Sequence, residues 1–283
     1  YKEYTGEEPL RVEGEAAAYR SSQVLRRQSN ADPANYPYKR GHVVLNTIGG
    51  FNWRSGNQTL EFKVTAPESG LYKLNVRLFQ NHGEGLSVHR QITIDGEVPF
   101  EEVASYAFSF SNKWQSETVS DEEGNPYLFY LEKGEHTLAF KVKMGQATEV
   151  INALYAINDD VTELIRNITK ITGSDPDLNF DYELEKKYPS LIADMENIRD
   201  RYYEQIDYLT NYCERTPTLA NSLKTAADQL DYLAKKPDKI PAKLDQLNDV
   251  QGSVSQWYFD IQDQPMMIDY VQFIAPETKV KLE

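Results

Sequence analysis

Short segments in which polar and apolar residues alternate fill the first half of the chain. Residues 59–64 (TLEFKV) and 71–78 (LYKLNVRL) alternate with a period of two, so each has one apolar and one polar face when extended. Asp95 and Gly96 follow a third such segment and favour a hairpin turn, because both tolerate a positive φ angle. Alternating segments separated by glycine-containing turns predict an antiparallel β-sandwich.

The apolar spacing becomes helical after residue 145. Val150, Leu154, Ile157 and Val161 recur at steps of three and four residues, and three further stretches before residue 263 repeat this pattern. Because each stretch is apolar on one side only, the pattern predicts four helices that bury these sides together as a bundle.

Strand character returns near the end of the chain, at residues 267–274 (MIDYVQFI). A single strand cannot pair its backbone or bury its apolar side alone. We therefore expect this segment to close the earlier sheet beside the first strand. The resulting fold class is α+β: a mainly β domain at residues 1–144 and 264–283, with a four-helix bundle at residues 145–263 inserted before the last strand.

The charge balance excludes two classes of partner. The 283 residues include 30 Lys and Arg and 44 Asp and Glu, a net charge of −14. Nucleic acids and anionic membrane surfaces repel such a chain, so neither is expected to bind. No apolar stretch approaches the about 20 residues that a transmembrane helix requires. The chain begins at Tyr1 rather than methionine, and we expect a processed piece of a longer protein.

Two glutamates near the start of the chain are candidate metal ligands. Glu13 and Glu15 are one residue apart, so on a strand they point to the same face. Two like charges there require solvent or a bridging cation, and a hard cation with oxygen ligands suits them. Asp269 in the closing strand supplies a third carboxylate if that strand pairs with the first. The alternative is a plain solvated strand face.

Several motifs of the β part resemble galactose-binding-like carbohydrate-binding modules of families 6 and 35. They are VEGEA at 12–16, TAPESGLY at 65–72, IDG at 94–96, LEKGEHT at 131–137 and IDYV at 268–271. The resemblance implies a jelly-roll sandwich with a structural calcium ion held by Glu13, Glu15 and Asp269. The four-helix insertion departs from the family pattern.

A narrower resemblance includes the helices. The segments LNTIGGFNW at 45–53, DEEGNPYLFYLEKG at 121–134 and QP at 264–265 are similar to the N-terminal region of lipid-anchored solute-binding proteins. Those proteins serve carbohydrate ABC importers of Firmicutes. The resemblance implies an extracellular module at the surface of a Gram-positive bacterium. Its partners are then the remainder of the parent protein, the importer and an oligo- or polysaccharide.

Sugar binding requires aromatic rings for the apolar faces of pyranoses and amides or charged groups for the hydroxyls. The predicted loops contain both kinds of side chain. The alternative for the tryptophans is that they close the ends of the sandwich or pack under the helices. The candidate ligand-binding residues are Trp53, Trp114, Tyr36, Asn52, Arg90 and Asn112.

Residues suited to catalysis are scattered. The four histidines lack metal-ligand spacing, and the single cysteine, Cys213, has no nearby histidine in the sequence. Neither a glycine-rich phosphate loop nor a nucleophile elbow is present. No two carboxylates are marked as a glycosidase pair. We therefore expect no enzymatic activity.

Three functional hypotheses follow. The first is a non-catalytic extracellular module of a carbohydrate importer's solute-binding lipoprotein, which binds glycan or acts as a spacer. The second is a structural or protein-docking domain that does not bind sugar. The third is an accessory module of a polysaccharide-degrading enzyme.

Overall fold

The computed structural model describes residues 1–145, 147–213 and 216–280 of the chain. The described residues separate into two units. The sandwich unit comprises residues 1–82, 87–145 and 263–280, and the helical unit comprises residues 83–86 and 147–262.

The predicted alternating segments are strands of the sandwich unit, which also has strands outside them; residues 104–125, expected to be a loop, contain two strands. In chain order the strands are β1 (Leu10–Glu13), β2 (Tyr19–Arg20), β3 (Arg27–Gln28), β4 (Thr47–Gly50), β5 (Thr59–Ala66), β6 (Gly70–Gln80), β7 (Val88–Ile94), β8 (Tyr106–Phe108), β9 (Ser111–Thr118), β10 (Leu128–Leu131), β11 (Gly134–Lys143) and β12 (Met266–Ile274).

The strands form two antiparallel sheets. In the larger sheet β6 and β12 pair in the centre; β9 and β10 pair with the other edge of β6, and β1 and β4 with the other edge of β12. Strand β3 extends this sheet beside β4. The smaller sheet has the order β2, β5, β11, β7, β8. The core lies between the sheets, where Val76, Phe273, Phe62 and Phe140 are all buried.

The last strand closes the sheet that the first strand begins. Strand β1 pairs antiparallel with β12, with Leu10 opposite Phe273 and Glu13 opposite Tyr270. This confirms the predicted sandwich with helices inserted before its final strand. Strand β12 is irregular between Ile268 and Tyr270, so its backbone departs from regular pairing at Asp269.

The described residues of the helical unit form four long α-helices and one short α-helix. They are α1 (Ala147–Thr172), α2 (Leu184–Lys187), α3 (Leu191–Tyr212), α4 (Thr218–Lys235) and α5 (Leu244–Gln262). Helix α1 packs against α3 and α5, and α3 packs against α4. The apolar residues Val150, Leu154, Ile157 and Val161 of α1 are buried, as their spacing predicts.

Within the described segments 1–145, 147–213 and 216–280, every helix is too short or too polar to cross a membrane.

Candidate functional site

A polar cleft of about 240 Å³ lies on the outer face of the larger sheet. We call it the sheet-face cleft. Its walls combine strand residues with parts of the two terminal segments and one loop. The residues that line it are Glu7, Pro9, Arg11, Ala34, Arg77, Ser116, Tyr270, Gln272, Ile274, Thr278, Lys279 and Val280.

Strand register places the polar residues of the cleft on one face. Arg77 of β6 lies opposite Tyr270 of β12 and opposite Ser116 of β9. Arg11 of β1 lies opposite Gln272. Directly opposed residues share a sheet face, so these five side chains converge although they come from four strands.

A buried amide beside the cleft holds two of its lining side chains. Asn75 lies two residues before Arg77, and its Oδ1 accepts hydrogen bonds from Ser116 Oγ (3.1 Å) and Gln272 Nε2 (3.0 Å). Its Nδ2 donates to Thr118 Oγ1 at 3.3 Å. This network across three strands holds the hydroxyl and amide groups of the cleft in set orientations.

Each arginine of the cleft is joined to a carboxylate and lies near an aromatic ring. Arg11 donates from Nε and Nη2 to the two oxygens of Glu13, at 2.7 and 3.1 Å, and its guanidinium lies 3.7 Å from the centre of the Tyr270 ring. The Arg77 Nε lies 3.0 Å from Asp269 Oδ2, and the Arg77 guanidinium is 5.8 Å from the Trp114 ring centre. Aromatic faces attract guanidinium groups, so the rings help to hold both arginines.

Burial dominates the electrostatics of Asp269. The Arg77 and Asp269 side chains are only 4% and 0% exposed. Desolvation raises the pKa of Asp269 to about 6, the Arg77 charge opposes this rise, and the Glu13 charge adds to it. The backbone N–H of Tyr36 also lowers this pKa, although its geometry falls short of a well-aligned hydrogen bond, and Arg77 acts as a charge partner. At neutral pH Asp269 is mainly ionised.

The raised pKa of Asp269 predicts a pH-dependent effect of the substitution Asp269→Asn. The folded pKa of about 6 exceeds the ordinary 3.8, so the stability that protonation contributes is complete below pH 3.8 and is lost as the pH rises through 6. Between about pH 7 and pH 5 we expect the wild type to gain about 1–1.5 kcal/mol relative to Asp269→Asn. Urea denaturation of both proteins at each pH measures this difference. A pH-independent difference contradicts the assignment.

The predicted calcium ligands are neighbours, since the Glu13 charge adds to the rise that burial causes in the pKa of both Glu15 and Asp269, but they are not arranged as a metal site. Among the described residues, no three His, Cys, Asp or Glu side chains are placed to hold a metal ion. Glu13 is bound by Arg11, and Asp269 is paired with Arg77. Calcium requires six to eight oxygen ligands, and two arginines beside these carboxylates do not fit that donor set. Glu15 has no arginine partner of this kind; its Oε2, like both Asp269 oxygens, is buried without a well-aligned hydrogen bond among the described residues, and burial raises its pKa.

Two of the predicted sugar-binding residues are core residues. Trp53 and Arg90 are both 0% exposed, and the Arg90 guanidinium lies 4.2 Å from the Trp53 ring centre. Arg90 donates to the carbonyls of His89 (2.9 Å), Trp53 (3.3 Å) and Gln264 (2.5 Å). Neither side chain has surface that a ligand could contact, so Trp53 and Arg90 are not sugar-binding residues in this fold. Trp53 is a packing residue, which was the alternative to sugar binding for the tryptophans.

The other four candidates are at or near the surface in different places. Tyr36 is 64% exposed and belongs to the loop that supplies Ala34 to the cleft. Trp114 is half-buried against Phe79 and near Arg77. Asn52 is exposed in the turn before Trp53, and Asn112 is exposed near the start of β9. Tyr36 and Trp114 do not line the cleft, but each lies near a residue that does: Ala34 for Tyr36 and Arg77 for Trp114.

Sequence reasoning missed most of the cleft. Arg11, Arg77, Ser116, Tyr270 and Gln272 were not among the predicted binding residues. A signal for Arg77 was available, because it is a polar position of the alternating segment 71–78. Alternation alone predicts a polar face and does not distinguish a flat solvated face from a cleft.

Comparison with known proteins identifies the helical segment. Residues 149–264 match the family model of the bacterial solute-binding protein four-helix bundle domain. The resemblance to bacterial solute-binding proteins is thereby confirmed for this segment. No curated protein matches the chain significantly.

Solved structures similar to the chain include three carbohydrate-related proteins. A family 35 carbohydrate-binding module from Clostridium thermocellum has 17% identity and a TM-score of 0.30 over 47% of this chain and 86% of that chain. A Paenibacillus sp. cycloisomaltooligosaccharide glucanotransferase has 21% identity and a TM-score of 0.33 over 51% of this chain. A ruminal endo-β-1,4-mannanase has 17% identity and a TM-score of 0.30 over 50% of this chain. This chain spans only 17% of the glucanotransferase and 24% of the mannanase.

Proposed function

We propose that the chain is a non-catalytic module of a carbohydrate importer's solute-binding lipoprotein, and that its sandwich unit binds glycan in the sheet-face cleft. The parent protein is then extracellular and lipid-anchored on a Gram-positive cell, and its remaining part delivers solute to the importer. The match of residues 149–264 to a solute-binding-protein domain supports this context.

The chemistry of the cleft supports glycan as the ligand. A pyranose presents hydroxyl groups around its edge and C–H groups on its faces, so its site requires fixed polar groups and an aromatic surface. Arg11, Arg77, Ser116 and Gln272 supply guanidinium, hydroxyl and amide groups, and Tyr270 supplies the ring. The convergence of these five side chains on one sheet face is the observation on which the proposal depends.

Substitution of Tyr270 tests the proposal. We expect the intact chain to bind at least one glycan on an array, and Tyr270→Ala to weaken that binding by about tenfold, the equivalent of about 1.4 kcal/mol. The loss arises because the aromatic wall is removed and the surface that orients Arg11 is lost. Affinity electrophoresis with the strongest glycan of the array measures the change.

Tyr130→Ala is the matched control. Tyr130 is an exposed tyrosine of β10 in the same sheet, and it does not line the cleft. We expect its substitution to leave glycan binding unchanged. Equal losses in the two variants, or no binding by the intact chain to any glycan, reject the proposed function.

Protein docking by the helical unit is the second candidate function. Tyr155 of α1 and Phe259 of α5 are exposed, and the Tyr258 ring lies 4.2 Å from that of Tyr155 and 5.2 Å from that of Phe259. An exposed aromatic cluster is typical of protein interfaces. A chain that fails on the glycan array favours this alternative.

A further inference from the structure

Two of the three carboxylates that the family resemblance assigns to calcium, Glu13 and Asp269, contact arginines of the sheet-face cleft. Arg11 and Arg77 line the cleft, whereas Glu13 and Asp269 do not. Each arginine is nevertheless joined to one of these carboxylates, Arg11 to Glu13 by two hydrogen bonds and Arg77 to Asp269 by a buried ion pair. The carboxylates therefore contact the groups that face a ligand.

Positive charge at this place is supplied by the chain itself. The guanidinium group remains protonated under physiological conditions, and its planar shape gives directed contacts with carboxylates. Two guanidinium groups also repel a divalent cation that approaches the same carboxylates. Arg11 and Arg77 thus place positive charge beside Glu13 and Asp269, where a calcium ion would otherwise neutralise these carboxylates.

We propose that Glu13 and Asp269 are positioning residues that hold Arg11 and Arg77 in the sheet-face cleft, and that the two arginines replace calcium at this place in the fold. The positioning of ligand-facing groups rests on the proposed glycan function. The replacement of calcium does not.

The calcium part is tested on the intact chain without any glycan. Extracellular calcium modules bind with dissociation constants of about 0.1–1 mM, so about 5 mM calcium chloride saturates such a site and raises the melting temperature. We expect the same melting temperature in calcium chloride and in EDTA. A reproducible rise in calcium overturns the replacement.

The positioning part is tested by the arginine side-chain Nε–Hε signals in the NMR spectrum of the chain labelled with ¹⁵N-arginine. Asp269→Asn removes the charge that faces Arg77 and keeps the shape of the side chain, so the Arg77 signal shifts and broadens more than the Arg11 signal. Arg11 forms its hydrogen bonds with Glu13, and the Asp269 charge is only a minor influence on it. Glu13→Gln has the opposite pattern. Arg77→Lys and Arg11→Lys assign the two signals.

Glu15→Gln is the matched control, because Glu15 belongs to the predicted calcium set but forms no hydrogen bond or ion pair with either cleft arginine among the described residues. The Arg11 charge reaches Glu15 only as a minor electrostatic influence on its pKa. We expect this variant to leave both arginine signals unchanged. A calcium site instead predicts that Glu13→Gln, Glu15→Gln and Asp269→Asn act alike and that all three abolish a calcium response. That pattern overturns the proposal.

Glycan affinity completes the test with the strongest glycan of the array as the probe. We expect Glu13→Gln and Asp269→Asn to weaken its binding at least about threefold, because each loses one oriented guanidinium, and Glu15→Gln to leave it unchanged. Unchanged affinity in the two variants, with shifted arginine signals, rejects positioning for ligand while glycan binding stands. A chain that binds no glycan rejects the proposed function, and the calcium and NMR results then decide the replacement alone.

Discussion

Arg90→Met is expected to destabilise the sandwich unit by about 3–4 kcal/mol. Methionine has a similar length but donates no hydrogen bond, so the carbonyls of His89, Trp53 and Gln264 lose their guanidinium donor inside the protein. The attraction between the guanidinium and the Trp53 ring is lost as well. Burial lowers the pKa of Arg90 to about 9, so removing a costly buried charge offsets part of the loss.

The position of Arg90 makes its contacts important for the insertion of the helices. Gln264 lies two residues before β12, so Arg90 holds the point where the chain re-enters the sandwich. His89 Nδ1 lies beside the residue at the other junction, since a Cβ added to Gly145 meets the His89 ring at 2.4 Å. Both ends of the helical insertion thus adjoin consecutive residues of β7.

Urea denaturation monitored by tryptophan fluorescence measures the effect of Arg90→Met, because Trp53 is its direct neighbour. Arg26→Met is the control, since Arg26 is exposed. Its expected change lies within about 0.5 kcal/mol. If Arg90→Met costs less than about 1 kcal/mol, the three carbonyls are satisfied in another way and the junction role is wrong.

The architecture could be predicted from the sequence because it follows from local periodicity and one pairing argument. Period-two segments and helical spacing gave the element types, and the lone strand at residues 267–274 required a partner. Strand β1 is that partner, paired with β12 from Leu10 to Glu13. Backbone hydrogen bonding leaves few alternatives for such a strand.

The cleft could not be predicted because it depends on contacts between distant parts of the chain. The alternation of Lys73, Asn75 and Arg77 marks the polar face of β6, but all three side chains are buried. The C-terminal segment covers one end of this face: Lys73 donates to the carbonyls of Pro276 (2.8 Å) and Thr278. These partners lie about 200 residues away in the sequence. The spacing of polar and apolar residues along one strand does not predict contacts with such distant residues.

Residue type also failed to separate binding residues from packing residues. Trp53 and Trp114 both lie near polar loop residues in the sequence, yet one ring is buried on Arg90 and the other is half-buried near Arg77. The contact between Glu13 and its partner Arg11 could have been predicted from the sequence. Arg11 lies two residues earlier, and on a strand that spacing places both on the same face.

Gly14→Ala is expected to destabilise the sandwich unit by about 2–3 kcal/mol, because the added methyl group forces apart the paired first and last strands. Gly14 follows β1, and a Cβ added there lies 2.3 Å from the carbonyl oxygen of Ile268 and 3.0 Å from that of Asp269. Both atoms belong to the backbone of β12, so the contact is relieved only if the strands separate.

Gly56→Ala is the matched control for this substitution. A Cβ at Gly56 has no described atom within 4 Å, and its φ angle is not in the left-handed region. We expect that variant to unfold at the wild-type urea concentration, or slightly above it, because alanine restricts the unfolded chain. Circular dichroism during urea denaturation compares the two variants. Equal midpoints for both contradict close approach of Gly14 to β12, and the joining of the first and last strands at this point is then wrong.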